Sequence, residues 1–165
     1  MKKVVEWKSE IKCNRTFILL LGLTIFAVWF SSQFFFQLML IQGDSMLPTF
    51  HDKQFALIDK HSREYARGDV IAFYCDDLEA VLVKRIVGIP GDVVHIRGGI
   101  LYVNNLLSEQ YADDQFMYSG MFEKACALAE NEYAVIGDNV NQSVDSRYEQ
   151  VGLIREAMIL GKIIK

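Results

Sequence analysis

The chain has 165 residues, of which 17 are Lys or Arg and 21 are Asp or Glu, so its formal net charge is −4 at neutral pH. This length suits one domain of ordinary size rather than two, and a hydrophobic content of 52% excludes a disordered chain. A net negative charge provides no basic surface for a phosphate backbone, so the composition argues against nucleic acid as a partner.

Three cysteines, Cys13, Cys75 and Cys126, stand at spacings that match neither a zinc site nor a redox motif. The sequence therefore predicts no metal and no disulfide framework, and it leaves open whether Cys75 and Cys126 pair.

A long uncharged segment lies near the N-terminus. From Thr16 to Gly43 the chain has no Asp, Glu, Lys or Arg, and its first part, TFILLLGLTIFAVWF, is typical of a helix that crosses a bilayer. A cleavable secretory signal would have a short apolar core followed by small residues, whereas this run continues through Phe34, Phe35 and Phe36. We predict an uncleaved transmembrane anchor over residues 16–36.

The charges before this segment predict its orientation. Residues 1–15 contain five Lys or Arg against two Glu, and the positive-inside rule keeps such a segment in the cytoplasm. We therefore expect a single-pass protein of the cell membrane, with the lipid bilayer as a partner, residues 1–15 cytoplasmic and residues 37–165 outside.

Beyond the anchor, short segments rich in Val, Ile, Phe and Tyr alternate with Gly, Asp and Asn turns, which predicts an all-β domain. The predicted strands are Phe55–Ile58, Val70–Tyr74, Ala80–Val87, Val93–Ile96, Ile100–Val103, Tyr133–Ile136 and Ala157–Ile164. Residues 120–131 are rich in helix formers and predict either a short helix or an excursion between strands.

The first candidate for chemistry is the segment GDSMLPTF, residues 43–50. Gly43 permits a tight backbone and Pro48 restricts Leu47 to extended conformations, so Ser45 is held between two constrained points. A serine presented in this way is a candidate nucleophile. The alternative is that its hydroxyl only caps a turn.

The second candidate is VLVKRIVGIPGD, residues 81–92, a strand that ends in a turn. Strand side chains alternate between faces, so Lys84 and Arg85 point in opposite directions and one of them projects among aliphatic side chains. Burial lowers the pKa of an amine, and such a lysine can take a proton from a serine near neutral pH. The alternative is a lysine whose stem covers apolar surface while its ammonium stays in water.

The third candidate is VIGDNVNQSVDSRY, residues 135–148, a strand followed by a polar loop. It offers the hydroxyls of Ser143 and Ser146 and a pair formed by Asp145 and Arg147, groups that can orient an amine and fix a loop. The alternative is an Asx-rich turn without a chemical role.

The three segments, together and in this order, resemble the boxes of bacterial type I signal peptidases. GDSMLPTF resembles that family's nucleophile box, RGDVIAFY the strand after it, VKRIVGIPGD the lysine box and GDNVNQSVDSRY the last box. The resemblance runs from the N-terminal anchor to about Tyr148. It implies a mainly β catalytic domain of sandwich or barrel type after one transmembrane helix, in a compact form, because only 44 residues separate Asp92 from Gly137.

The resemblance also implies the activity. It is that of a membrane-bound serine endopeptidase that cleaves signal peptides from exported preproteins after small residues, through an acyl-enzyme and without a cofactor. Signal peptides are then the substrates, and the protein translocation machinery is a candidate partner.

Roles for individual residues follow from the same resemblance. Ser45 is the nucleophile, with its backbone N–H in the oxyanion hole, and Lys84 is the general base. Ser143 orients the lysine amine, while Asp145 and Arg147 brace the site by an ion pair; Met46 and Pro48 are assigned to substrate binding. Gly43 stands where some members carry a hydroxyl residue, so the second oxyanion donor is not identified.

Three alternatives stay open on the sequence. One is a dedicated processing peptidase of the same class, acting on a conjugative-transfer or pilin-type substrate. Another is a catalytically inactive, membrane-tethered assembly factor, although such a protein has little reason to keep both Ser45 and Lys84 within their full motifs. A soluble self-cleaving repressor also uses Ser and Lys, but the uncharged segment and the lack of a DNA-binding segment argue against it.

Overall fold

The structure is a computed structural model that describes residues 2–164, without the side chains of residues 2–14 and 32–34. It divides into two compact units, Met1–Phe36 and Gln37–Lys165.

The first unit is built on one helix, α1 (Lys2–Phe34). Its large apolar side chains between Phe17 and Phe30 are between 48% and 72% exposed. The helix ends where the N–H of Phe35 donates to the carbonyl of Ser31 at 2.9 Å. Among the residues that the structure describes, no helical stretch is both long and apolar enough to cross a membrane.

The predicted anchor, residues 16–36, is therefore not confirmed as a membrane crossing. The helix stops at Phe34, and Phe36 already belongs to a strand. The sequence does not show this change, because a continuous apolar run does not reveal by its periodicity where a helix gives way to a strand. In the predicted cytoplasmic segment, residues 1–15, Arg15 is the one residue whose side chain the structure describes.

The second unit confirms the mainly β domain. Its strands are β1 (Phe36–Leu40), β2 (Phe55–Asp59), β3 (Val70–Cys75), β4 (Ala80–Gly88), β5 (Val93–Arg97), β6 (Ile100–Val103), β7 (Leu106–Leu107), β8 (Cys126–Ala127), β9 (Glu132–Ile136), β10 (Ile154–Arg155) and β11 (Ile159–Ile164). One sheet has the order β1-β2-β11-β3-β4-β9-β10 and the other β7-β6-β5-β8. Short 3₁₀ turns cover Glu109–Tyr111, Gly120–Glu123 and Glu156–Met158.

The segment of residues 120–131 is an excursion rather than a helix. It contains a single 3₁₀ turn, Gly120–Glu123, followed by the two-residue strand β8 that pairs with β5. Phe122 is fully buried in the core beside β5 and β6. The packing of this aromatic ring therefore outweighs the helix propensity of the segment.

Strand β4 lies in the interior of the seven-stranded sheet, between β3 and β9, and it brings the candidate segments together. In the register of the sheet, Lys84 stands opposite Ile71 of β3 and Arg85 opposite Ile136 of β9. Because Ile136 is the last residue of β9, the polar loop that follows this strand begins next to Arg85.

The cysteines do not form a disulfide among the described residues. Cys75 and Cys126 are both free, and the buried thiol of Cys75 donates to the carbonyl of Gln150 at 3.3 Å. The side chain of Cys13 lies outside the described part of the chain.

Candidate active site

Ser45 lies in the loop between β1 and β2, and this loop is closed at its base. The N–H of Ile41 donates to the carbonyl of Gln54 at 2.8 Å, and the N–H of Lys53 donates to the carbonyl of Ile41 at 2.9 Å. The side chains of Met46 and Phe50 are buried in the core, at 1% and 3% exposure. Two apolar anchors therefore hold the segment after Ser45 in place.

The chain makes a tight turn at Gly43, two residues before Ser45. The φ of Gly43 is +84°, a backbone conformation that is unfavourable for any residue with a side chain. Its N–H donates to Asp52 Oδ1 at 2.8 Å, so this backbone donor is already engaged. The peptide bond between Leu47 and Pro48 is cis.

The central contact of the site joins Lys84 to Ser45. Lys84 Nζ lies 2.7 Å from Ser45 Oγ, and the lysine is only 3% exposed. Burial lowers the pKa of the amine from 10.5 to about 8, while the negative charges of Asp145 and Asp138 partly oppose this effect. An amine with such a pKa is partly neutral near physiological pH and can accept a proton from the hydroxyl.

Arg85, the next residue of β4, is paired instead. Its guanidinium donates to both oxygens of Asp138, at 2.7 and 2.5 Å, to the carbonyl of Gly68 at 2.7 Å and to Thr49 Oγ1 at 3.1 Å. The Tyr111 hydroxyl adds a hydrogen bond to Asp138 at 3.3 Å. This arginine therefore ties the loop after β9 to the loop that carries Ser45.

The predicted pair of Asp145 and Arg147 is present and lies in the interior. The two side chains are 0% and 1% exposed and form an ion pair at 2.8 Å. The Arg147 guanidinium also donates to the carbonyls of Tyr118 at 3.2 Å and of Val140 at 2.5 Å, and Asp145 Oδ2 accepts from the N–H of Gly137 at 3.1 Å. Because the charges are satisfied in this way, the pair can fix the loop without an uncompensated buried charge.

Ser143 is buried beside the site, but it does not make the predicted hydrogen bond. Its Oγ has no hydrogen-bond partner among the described residues. The hydroxyl packs against Gly137, where an added Cβ would meet Ser143 Oγ and would lie 2.5 Å from the Ser45 carbonyl oxygen. In this arrangement the amine of Lys84 contacts Ser45 instead.

Asn139 joins the loop after β9 to the segment of Ser45. Its backbone N–H donates to the Ser45 carbonyl at 3.0 Å. Its side-chain Nδ2 donates to the Asp44 carbonyl at 3.2 Å and to Gln142 Oε1 at 3.4 Å. The contact between Asn139 and Asp44 connects residues that are 95 positions apart in the chain.

An open cleft of about 440 Å³ begins at the Ser45 and Lys84 side chains. Its walls are formed by Gln37, Met39, Leu40, Ile41, Gln42, Met46, Ala80, Val81, Leu82 and Val83. Met46 therefore reaches the cleft from the core, whereas Pro48 is exposed and does not belong to these walls. Eight of these ten wall residues are apolar in type, which suits a substrate segment with small apolar side chains.

Sequence reasoning missed three residues of the site. The sequence gives Gly137, Asp138 and Asn139 no individual role beyond their place in the polar loop and in the last box. Their contacts with Ser45 and Arg85 depend on the long-range pairing of β4 with β9. The available signal was their position directly after a buried strand, because such residues are fixed in space by the sheet.

The chain is similar to proteins of known activity over most of its length. A family model described as "Signal peptidase, peptidase S26" matches residues 14–164. Signal peptidase I S of Bacillus subtilis (strain 168) is 31% identical, over 97% of this chain and 86% of that protein. Signal peptidase I of Bacillus licheniformis is 34% identical, over 78% of this chain and 74% of that protein.

A solved structure shows the same fold. The crystal structure of a signal peptidase I from Enterococcus faecalis V583 matches with a TM-score of 0.52 and 26% sequence identity. The match covers 61% of this chain and 97% of that one.

Proposed function

The chain belongs to the signal peptidase family, peptidase S26, and is a serine-type endopeptidase that removes signal peptides; from this premise we propose that Ser45 and Lys84 are its catalytic dyad. The observation that carries the proposal is the distance of 2.7 Å between Lys84 Nζ and Ser45 Oγ. Both the low exposure of the lysine and its pKa of about 8 support its role as a base.

In the proposed reaction, the neutral amine of Lys84 takes the proton of the Ser45 hydroxyl while Oγ attacks the scissile carbonyl. The C–N bond then breaks, and the ammonium gives its proton to the leaving amine. A water molecule attacks the resulting ester, with Lys84 again as the base, and this step releases the new carboxylate and regenerates Ser45.

The backbone N–H of Ser45 is the proposed donor to the oxyanion. Among the described residues it donates to no other acceptor, so it is available to a substrate. Gly43 contributes no side chain, and its own N–H is bound to Asp52. The direction of the Ser45 N–H is therefore decisive for this step.

Three further residues have supporting roles in the proposal. Asp145 and Arg147 brace the loop beside the dyad through their buried ion pair. Ser143 accepts a hydrogen bond from the ammonium that forms when Lys84 takes its proton. This role is supported by the burial of its hydroxyl beside Gly137 and by its lack of another partner among the described residues.

We propose that the substrate binds in the cleft as an extended strand. Residues 80–84 of β4 pair with β3 on one side, and the pairing with β9 begins only at Arg85. The free side of these residues can therefore pair with a peptide backbone. Met46 in the apolar walls then contacts small side chains before the cleaved bond, and Pro48 shapes the segment from outside the cleft.

The proposal includes the topology predicted from the charges, in which α1 is a single membrane anchor, residues 1–15 are cytoplasmic and residues 37–165 face outside. It is supported by the uncharged run from Thr16 to Gly43 and by the exposed apolar side chains of α1. Resistance of the full chain to alkaline extraction from membranes tests the anchor. Protease added to sealed right-side-out vesicles tests the orientation, since digestion of residues 37–165 is expected and their protection would contradict it.

The experiment that tests the dyad uses the purified full chain and several unrelated preproteins. The wild type should cut each of them after small residues, as determined by the mass of the products, and Ser45→Ala or Lys84→Ala should abolish the cut without unfolding the domain. Wild-type activity of Lys84→Ala would refute the dyad. Cleavage of only one preprotein would indicate a dedicated processing peptidase.

A further inference from the structure

Asn139 holds both peptide groups that flank the Cα atom of Ser45. Its backbone N–H donates to the Ser45 carbonyl, which belongs to the peptide group after this Cα. Its side-chain Nδ2 donates to the Asp44 carbonyl, which belongs to the peptide group before it. A single residue therefore restrains the backbone rotations on both sides of Ser45.

The contact with Asp44 has a direct consequence for the oxyanion donor. The carbonyl of Asp44 and the N–H of Ser45 belong to one planar peptide group and point in opposite directions. A donor that fixes the direction of the carbonyl oxygen therefore also fixes the direction of the N–H. A hydrogen bond accepted by the carbonyl also polarises the peptide group, which makes its N–H a stronger donor.

The remaining contacts of this peptide group are few. The Asp44 carbonyl also accepts from the N–H of Leu47, within the same loop, at a distance of 3.2 Å. On the other side stands Gly43, a residue with wide conformational freedom. The side chain of Asn139 is the contact that connects this peptide group to the loop at the end of β9.

We propose that Asn139 is a positioning residue that aims the Ser45 N–H at the oxyanion of the tetrahedral intermediate. This inference rests on the proposed function, in which Ser45 is the nucleophile. Asn139 does not touch the substrate in this role. It acts through the orientation of one peptide group, and its loss should lower transition-state stabilisation more than substrate binding.

The test uses the full chain in detergent with a peptide substrate derived from a signal peptide. Asn139→Ala removes the side-chain donor, and Asn139→Asp keeps the shape but offers a carboxylate that cannot donate to the Asp44 carbonyl. Asn141→Ala is the matched control, because Asn141 is an asparagine of the same loop whose amide donates to the carbonyl of Gln115 at 2.9 Å. Rates are taken per titrated active site, at the pH plateau of each variant.

For both Asn139 variants we expect kcat to fall by about 10- to 100-fold, with KM within about twofold of the wild type. A peptide aldehyde supplies a second readout. The Ser45 hydroxyl adds across its C=O bond, the new bond joins Oγ to carbon, the proton passes to Lys84, and the aldehyde oxygen becomes the oxyanion. Inhibition by the aldehyde should weaken by the same factor as kcat, whereas inhibition by the corresponding peptide amide should not change.

Values of kcat within twofold of the wild type for Asn139→Ala or Asn139→Asp would overturn the inference. An equal loss in Asn141→Ala, or an equal weakening of aldehyde and amide, would also overturn it, since both results indicate a merely structural role. The proposed function is tested separately by Ser45→Ala. If this variant is inactive while Asn139→Ala is normal, only the inference about Asn139 fails.

Discussion

Lys84 and Arg85 are adjacent on β4, but only the arginine has a carboxylate partner. Arg85 forms an ion pair with Asp138 at 2.5 Å, whereas the Nζ of Lys84 lies against the hydroxyl of Ser45. Side chains alternate between the two faces of a strand, so the two basic groups point in different directions. Asp138 in the loop after β9 neutralises the arginine, whereas burial leaves the lysine with a lowered pKa.

The first prediction concerns the dependence of activity on pH. Because the pKa of Lys84 is about 8, roughly a tenth of the molecules carry a neutral amine at pH 7 and most of them carry one at pH 9. We expect kcat/KM to rise about tenfold over this range and then to level off. The rate is measured with a peptide substrate in buffers of constant ionic strength, and a profile that stays flat from pH 7 to 9 would contradict the assignment of the base.

The second prediction concerns Asp138, whose negative charge raises the pKa of Lys84. In Asp138→Asn this charge is lost, so the pKa of Lys84 should fall and the rise of kcat/KM should move to lower pH. Asp92→Asn is the matched control. Asp92 is also buried and paired with an arginine, Arg67, but its charge is not among the causes that shift Lys84.

In the control, the midpoint of the pH profile should stay in place even if the domain loses stability. A shift to higher pH in Asp138→Asn, or equal shifts in the two variants, would show that this local electrostatic account is wrong.

The third prediction concerns the space at Gly137. A Cβ there would lie 2.5 Å from the Ser45 carbonyl oxygen and 2.6 Å from Ser143 Cβ, so both loops would have to move. We expect Gly137→Ala to cost about 1–3 kcal/mol of stability and to lower kcat strongly. Gly22→Ala is the control, because nothing lies within 4 Å of a Cβ at that position.

Unfolding by denaturant and turnover at saturating substrate measure the two effects of Gly137→Ala. Retention of wild-type kcat would mean that the loops adjust without disturbing Ser45.

The sequence predicted seven strands of the domain because each of them has a clear apolar pattern between turn residues. It missed β7, β8 and β10, which have two residues each, and β1, which is hidden in the same apolar run as α1. Strands of this kind are defined by their neighbours in the sheet. Local patterns cannot reveal such pairing.

The sequence shows only part of what determines the geometry of the candidate site. Ser45 and Lys84 stand in recognisable motifs, and the structure brings them into contact. The role expected for Ser143 required the direction of one hydroxyl, which depends on how closely the loop packs over Gly137. The double contact of Asn139 with the segment of Ser45 required the tertiary register of β4 and β9, which no spacing in the sequence encodes.

The last prediction concerns the stability that the protein loses by burying Lys84. In the folded chain the pKa of this lysine is lowered from 10.5 to about 8. Between these pH values the unfolded chain binds more protons than the folded chain, so stability rises with pH across this range, and the cost is fully present below about pH 8. A shift of this size corresponds to on the order of 3 kcal/mol.

Replacement of the amine by an apolar side chain of similar length should remove this cost. Lys84→Met should therefore be inactive but more stable than the wild type by up to about 3 kcal/mol at pH 7, and the gain should shrink as the pH approaches 10. Lys124→Met, which replaces an exposed lysine, should change stability by less than about 0.5 kcal/mol. Denaturant unfolding of the full chain in detergent at several pH values measures the difference in stability between variant and wild type. If this difference favours Lys84→Met less at pH 7 than at pH 10, the burial of a destabilised ammonium is contradicted.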